Sequence, residues 1–274
     1  MKNKYKGISY FIVLIAICVF CFGIVNRKLK TINTSGVASE DFSSFNNKKI
    51  CWGIKRAENH EQPDVGSQNK ALMEKCDAMY MGNVEKKYVY LTFDAGYEAG
   101  YTEKILETLK QNDVTATFFI TGHYLNSQPE LVKKMIDCGN IVGNHTVNHK
   151  SMPDITLEDV KEDVMKLHTA MYEKFGYEMK YIRPPKGECS ERTIRFTNSL
   201  GYKTVMWSLA YDDWDENKQG RESYAKEKIL NNIHNGAIIL LHSNSKDNCN
   251  ILDDVIKEIK TMGYEIKSLD EFEK

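Results

Sequence analysis

The chain has no excess of either charge. Lys and Arg number 37 against 38 Asp and Glu, giving a net charge of −1. The two signs are interspersed along the sequence, so the electrostatic footprint of a nucleic-acid-binding protein is missing. Cysteine patterning is missing too. Of seven cysteines, Cys18 and Cys21 lie inside an apolar run, and Cys51, Cys76, Cys138, Cys189 and Cys249 form no C-x-x-C pair. That scatter excludes a disulfide framework and a cysteine zinc site. These residues read as small buried hydrophobes, with a Cys51–Cys76 bridge left open. Apolar residues are not lacking: 42% of 274 residues are hydrophobic. That is enough for a sizeable core and too much for wholesale disorder, over a length that suits one large domain or two small ones.

The N-terminus differs from the rest. Lys2, Lys4 and Lys6 precede an uncharged run from Gly7 to Asn26, which Arg27, Lys28 and Lys30 close. About 18 apolar residues on a helix rise roughly 27 Å, close to the thickness of a bilayer core. The run lacks a convincing A-x-A-like cleavage site, so residues 1–30 are expected to be a cytoplasmic tip and an uncleaved transmembrane anchor. A cleaved signal sequence is the competing reading. Basic side chains flank both ends equally, so charge does not encode the orientation. Residues 31–50 are polar and rich in Ser, Asn and Thr, as in a linker. Residues 51–87 are expected to form an N-terminal extension packed on the domain that begins at Tyr88.

From Tyr88 onward strands and helices alternate. Strands are predicted over 88–94, 116–121, 140–143, 181–183, 203–209, 237–242 and 264–267. Helices are predicted over 102–111, 129–138, 157–175, 191–200, 224–233 and 249–262, with another near 69–80. This alternation specifies an α/β protein with a parallel sheet. The strands are near-continuous apolar runs, as expected when both faces are covered. A closed or nearly closed barrel fits; a doubly wound open sheet fits the pattern equally. Asp94, His145, Arg183 and His242 all fall at or just past C-terminal strand ends, which share one rim in a parallel barrel.

Each of these residues has a chemical and a plain structural reading. His145 and His149, spaced i and i+4, would face the same way on a helical turn and could hold one divalent cation; otherwise they are two surface histidines. Asp94 could be a general base toward water or a helix cap. Arg183, in Arg183-Pro-Pro-Lys-Gly187, would keep an adjacent Asp94 ionised, or the segment is only a rigid loop. His242 ends Ile238-Ile-Leu-Leu-His242, where a general acid competes with a satisfied core histidine. Asp213 could tune a histidine and Trp214 could wall a sugar pocket, unless Asp212, Asp213 and Asp215 form a solvated acidic loop. A glycosidase would need a carboxylate partner for Asp94, and only Glu98 is at hand.

Together these residues resemble the polysaccharide deacetylase family, carbohydrate esterase family four. Thr92-Phe93-Asp94 matches its first motif, His145-x-x-x-His149 the second and Arg183-Pro-Pro-x-Gly187 the third. Asp213-Trp214 matches the fourth and Leu240-Leu241-His242 the fifth. Phe93-Asp-Ala-Gly-Tyr-Glu-Ala-Gly-Tyr-Thr102, Thr121-Gly-His-Tyr124, Trp207-Ser-Leu-Ala210, Ser245-Lys-Asp-Asn248 and Trp52–Pro63 resemble the delta-lactam-biosynthetic subgroup acting on spore-cortex peptidoglycan. The resemblance implies a distorted (β/α)7 barrel over residues 88–274 and removal of the N-acetyl group from N-acetylmuramic acid. It implies Asp94, His242, Arg183 and Asp213 in catalysis, and Trp214, Tyr97, Pro185 and Gly187 against substrate. It further implies a glycan strand already freed of its stem peptide by an amidase, and a catalytic domain outside the cytoplasm on the forespore side of the cortex. His145 and His149 would hold a divalent cation (Zn, Mn, Co or Mg). Ala95 stands where the wider family has a third, acidic ligand, and Ala210 where it has an acid before Asp213, which sets conventional metal dependence in doubt. A deacetylase of chitin or xylan, and a tethered glycan-binding protein with impaired catalysis, are the competing readings.

Overall fold

The computed structural model describes residues 41–57 and 59–274, of which Phe42–Lys274 form one compact unit. The expected anchor and residues 31–40 of the expected linker lie outside the described residues. Among the described residues no helix is long and apolar enough to cross a membrane. From Phe42 on, residues expected in the linker are part of the folded body. Phe42 packs edge-on against Phe196, and Asn47 donates to the Pro153 carbonyl and accepts from Ser190.

In chain order the elements are β1 (Ile50–Cys51), α1 (Ser67–Lys75), β2 (Tyr88–Ala95), α2 (Thr102–Gln111), β3 (Thr117–Ile120), α3 (Gly122–Ser127), α4 (Pro129–Asp137), β4 (Ile141–Asn144), α5 (Leu157–Phe175), β5 (Tyr181–Ile182), β6 (Glu188–Cys189), α6 (Glu191–Ser199), β7 (Lys203–Thr204), β8 (Leu209–Ala210), α7 (Glu222–Asn232), β9 (Ala237–His242), α8 (Lys246–Thr261) and β10 (Glu265–Ile266). Local chemistry sets the boundaries. Thr156 caps α5 by accepting from the Asp159 N–H, and Gly176 ends it in the left-handed conformation that glycine adopts without strain. Ser190 and Thr193 form a reciprocal capping pair at the start of α6.

Eight strands form a parallel sheet in the order β7-β5-β4-β3-β2-β9-β8, with β10 also on β2, while β1 and β6 pair antiparallel in a separate two-stranded sheet. β7 and β8 do not pair, so the sheet is curled and open on that side. The segment 79–82 stands in the opening: Met79 pairs with Val205, Met81 with Ala237, and the Gly82 N–H donates to the Gly236 carbonyl at 2.8 Å. Period-two alternation divides the strand side chains between two faces. Val89, Leu91, Phe93, Ile239 and Leu241 pack outward against the helices. Tyr90, Phe119, Ile238 and Val205 fill the inside of the curl. Thr92, Asp94, Leu240 and His242 continue that inner set towards the C-terminal ends of β2 and β9.

Three expectations need correction. The strand expected over 203–209 is two strands, because the chain changes partners between them. The Val205 N–H bonds the Ile182 carbonyl, Met206 bonds Met79, and Ser208 bonds the Ile238 carbonyl. The helix expected near 69–80 is α1, ending at Lys75. Cys51 and Cys76 are free thiols, one exposed and one buried, so the bridge left open does not form.

Candidate active site

Asp94 lies near the end of β2, its side chain turned into the curl and its residue only 8% exposed. Arg183 follows β5, fully buried, and its whole guanidinium is engaged. Nη1 donates to Asp94 Oδ1 at 2.7 Å, Nη2 to Thr92 Oγ1 at 2.8 Å and Nε to the Val205 carbonyl at 3.2 Å. Its plane lies over the Phe119 ring at 4.2 Å. Burial pushes the Asp94 carboxyl up, but Arg183, His145 and His242 outweigh it and hold the group below the usual carboxylate range. Asp94 is therefore ionised at neutral pH, and it is not a helix cap.

His242 stands beside it. Asp94 and His242 are register partners on the parallel strands β2 and β9, so their side chains emerge on the same face. The Asp213 carboxylate lies beneath His242, 2% exposed. Its Oδ1 is 2.9 Å from His242 Nδ1, and its Oδ2 accepts the His242 backbone N–H at 2.7 Å. Burial disfavours the imidazolium, yet Asp213 and Asp94 more than offset that, and the His242 pKa is raised. Asn248, in the first turn of α8, donates to Asp213 Oδ2 at 2.6 Å and to the His242 carbonyl at 3.1 Å. The buried Tyr211 hydroxyl donates to Asn248 Oδ1 and so fixes which way that amide points. No role was expected for Tyr211 or Asn248. The segment Ser245-Lys-Asp-Asn248 was the available signal.

His145 and His149 converge, but not on a helix. The loop after β4 is irregular, and Thr146 (φ 63°) and His149 (φ 54°) take left-handed conformations. Asp163 of α5 holds it, accepting from Asn148 N at 3.0 Å, while Asn144 Oδ1 accepts from Thr146 N at 2.8 Å. The two Nε2 atoms end 3.2 Å apart, and His145 Nε2 is 3.4 Å from Asp94 Oδ2. His145 Nδ1 meets the Arg183 carbonyl at 2.8 Å; a carbonyl only accepts, so Nδ1 carries the proton and Nε2 a lone pair. Burial, then His145, lowers the His149 pKa to about 4. Two nitrogens each about 2.0–2.1 Å from a tetrahedral cation stand roughly 3.3 Å apart, so this donor pair fits a divalent cation. Among the described residues no third protein ligand stands with them. Ala95 is fully buried and has no donor, and among the described residues no group of three His, Cys, Asp or Glu side chains is arranged to hold a metal.

These groups open into one cleft of about 860 Å³, lined among others by Asp94, His145, His149 and His242, with Tyr97, Gly187, Trp207 and Trp214. Trp214 is 61% exposed at its mouth. The Tyr97 hydroxyl accepts from Asn244 Nδ2 at 2.7 Å. Gly187 (φ 66°) is there because a Cβ would sit 2.7 Å from the Trp207 ring. Pro185 is buried and does not line the cleft; Lys186, which the motif reading leaves without a role, does. Glu98 is not a partner for Asp94. Its Oε2 accepts from the Tyr124 hydroxyl at 2.8 Å, and Oε1 accepts the Gly100 and Tyr101 N–H groups. This removes the carboxylate pair that a glycosidase needs.

A family model, polysaccharide deacetylase, matches residues 81–205. The peptidoglycan-N-acetylmuramic acid deacetylase PdaA of Bacillus subtilis is 45% identical over 231 residues, covering 83% of this chain and 88% of the relative. The chain belongs to the polysaccharide deacetylase family. The structure of Bacillus subtilis PdaA, a family 4 carbohydrate esterase, matches with a TM-score of 0.81 at 44% identity, covering 83% of this chain and 97% of that one. A family 4 carbohydrate esterase from Bacillus anthracis matches with a TM-score of 0.71 at 39% identity, over 84% and 98%. A peptidoglycan-N-acetylglucosamine deacetylase of Bacillus cereus is 31% identical over 72% of each chain. The curled parallel α/β sheet of this chain is the family's fold, and the five motifs recognised in the sequence meet at one rim of it.

Proposed function

We propose that this protein hydrolyses the N-acetyl group of N-acetylmuramic acid in peptidoglycan. The observation that carries the reading is a carboxylate held by a guanidinium beside an imidazole held by a second carboxylate. Asp94 is held by Arg183 and His242 by Asp213, on adjacent strands at the floor of an open cleft. The name of the Bacillus subtilis relative supplies the substrate.

In the mechanism Asp94 takes a proton from water as its oxygen attacks the acetyl carbonyl. His242 gives its proton to the amide nitrogen as the C–N bond breaks, so acetate and a free amine leave. Arg183 and Asp213 touch no substrate; they set the protonation and aim of the two groups that do. His145 and His149 would hold a divalent cation, which when bound supplies Lewis-acid polarisation of the carbonyl or of water. Trp214, Tyr97 and Gly187 form the sugar-facing walls.

The finer reading is a distorted (β/α)7 barrel with the segment 79–82 filling its opening, tethered by the apolar run 7–26 as a membrane anchor. The domain then lies outside the cytoplasm and acts on spore-cortex glycan after an amidase has removed the stem peptide, a step toward muramic delta-lactam. Deamidated muramic acid places the new amine beside its own lactyl carboxylate, and ring closure then profits from intramolecular proximity. The support is the run's length and flanking lysines and the sequence segments shared with the delta-lactam subgroup. Incubation of the protein with peptide-free muramyl glycan and with chitooligosaccharides, followed by mass spectrometry, tests the substrate. Acetyl loss confined to the muramyl glycan is expected. Loss confined to chitooligosaccharides overturns that substrate, and glycan binding without acetate release indicates an impaired enzyme.

A further inference from the structure

The cleft contains one fixed positive charge that has no ion-pair partner among the described residues. Lys186 is exposed and lines the cleft with His149. It has no hydrogen bond or ion pair among the described residues. The nearby charges are already committed: Asp94 to Arg183, Asp213 to His242, and Asp154 to Lys49 at 2.5 Å.

The backbone beneath it is built to place it. Lys186 has φ 59° and ψ 8°, the left-handed region, which is strained for a residue with a Cβ. Pro184 and Pro185 stiffen the approach. Gly187 follows with φ 66°, packed against Trp207 and Trp52 where its Cβ would be. Glycine or asparagine would relax this turn; a long cationic side chain gains nothing locally from occupying it.

An N-acetylglucosamine residue brings no charge to such a site. N-acetylmuramic acid brings one, the carboxylate of the lactyl ether on O3, adjacent on the ring to the C2 acetamido group. Lys186 lines the same cleft as Asp94 and His242, so its ammonium is available to a carboxylate carried by the bound sugar. Stem peptide attached to muramic acid converts this carboxylate to a neutral amide. We propose that Lys186 is the specificity residue of the cleft, pairing its ammonium with the free lactyl carboxylate. The site thereby selects peptide-free muramic acid over glucosamine and over peptide-bearing muramic acid. This rests on reading the site as a glycan deacetylase.

The test compares wild type with Lys186→Ala, Lys186→Arg and Lys186→Glu on peptide-free muramyl glycan, the same glycan with its lactyl carboxylates amidated, and N-acetylglucosamine oligomers. One charge-assisted hydrogen bond at a half-open site is worth about a factor of ten. Lys186→Ala is therefore expected to raise KM on the muramyl glycan about tenfold with little change in kcat, while affinity for the two uncharged glycans, read as binding, stays at its wild-type value. Lys186→Arg should restore most of the loss, Lys186→Glu should deepen it, and added salt should narrow the gap between wild type and Lys186→Ala. Equal losses on charged and uncharged glycans, or none on the muramyl glycan, overturn the proposal. Glycan affinity is measured on the same proteins by tryptophan fluorescence. Unchanged affinity for muramyl glycan in Lys186→Ala overturns the proposal even if no acetate is released, whereas absence of acetate release from wild type with affinity still lysine-dependent overturns only the deacetylase reading.

Discussion

Asp94 and His242 are register partners across the β2/β9 ladder, and each is locked from behind by a buried residue of opposite charge. The two pairs push their titrations apart. Asp94 is lowered and stays ionised, while His242 is raised and stays protonated further up the pH scale. Between those two pKa values both groups are in their working forms. The rate should therefore form a bell, with its acid limb at low pH and its basic limb above the ordinary histidine range. Asp213→Asn removes the main cause of the His242 shift, so the basic limb should move to lower pH. A basic limb unmoved in Asp213→Asn would show that another group sets it. The same groups enter stability with opposite signs. The contribution of Asp94 is present above its unfolded pKa and lost as pH falls through its folded one. That of His242 is present below its unfolded pKa and lost as pH rises through its folded one.

Asn248 should matter although it touches no substrate. Its amide holds Asp213 Oδ2 and the His242 carbonyl, and Tyr211 orients it. Asn248→Ala should lower kcat about tenfold or more with KM little changed, as expected when an orienting hydrogen bond behind a catalytic group is lost. The basic limb should shift as well. Tyr211→Phe should show the same effects more weakly. Steady-state kinetics across pH make the comparison, and a loss in KM alone would argue against a positioning role.

Arg183 is fully buried and its partner is a carboxylate, so breaking the pair strands a charge. Arg183→Ala should destabilise the fold by roughly 3–5 kcal/mol, the cost of leaving a buried ion uncompensated. Denaturant unfolding measures it. A change under about 1 kcal/mol would mean that water reaches Asp94 far more freely than its burial indicates.

Two imidazoles with no third protein ligand among the described residues should hold a cation less tightly than a three-ligand site does. Dialysis against a chelator should strip it, and metal content should fall to background in His145→Ala and His149→Ala. If the cation contributes to the reaction, acetate release in the stripped protein should fall at least tenfold and return on adding a divalent metal. Undiminished release from stripped wild type would show that Asp94 and His242 act unaided.

Much of the site was legible because strand ends in a parallel sheet collect on one rim. Asp94 and His242 could be placed there from apolar runs alone. What stayed hidden depends on contacts between elements distant in sequence. The i, i+4 spacing of His145 and His149 suggested a helical turn, yet left-handed residues anchored by Asp163 aim the two rings. The apolar stretch 203–209 reads as one strand, and only the change of partner from Ile182 to Ile238 breaks it. Asn248 and Tyr211 become a positioning pair only once α8 meets the loop after β8. Helix α3 was missed because six residues capped by Thr121 are too short to show a period.

The most direct test is mass spectrometry of peptide-free muramyl glycan after incubation with wild type, Asp94→Asn and His242→Ala, each checked for folding. Wild type should remove acetyl groups. Asp94→Asn, which removes the base, and His242→Ala, which removes the acid, should each be slower by about 10²–10⁴-fold, the usual worth of positioned general acid–base groups. Acetyl loss at the wild-type rate in both variants would contradict the assignment of base and acid on which the account stands.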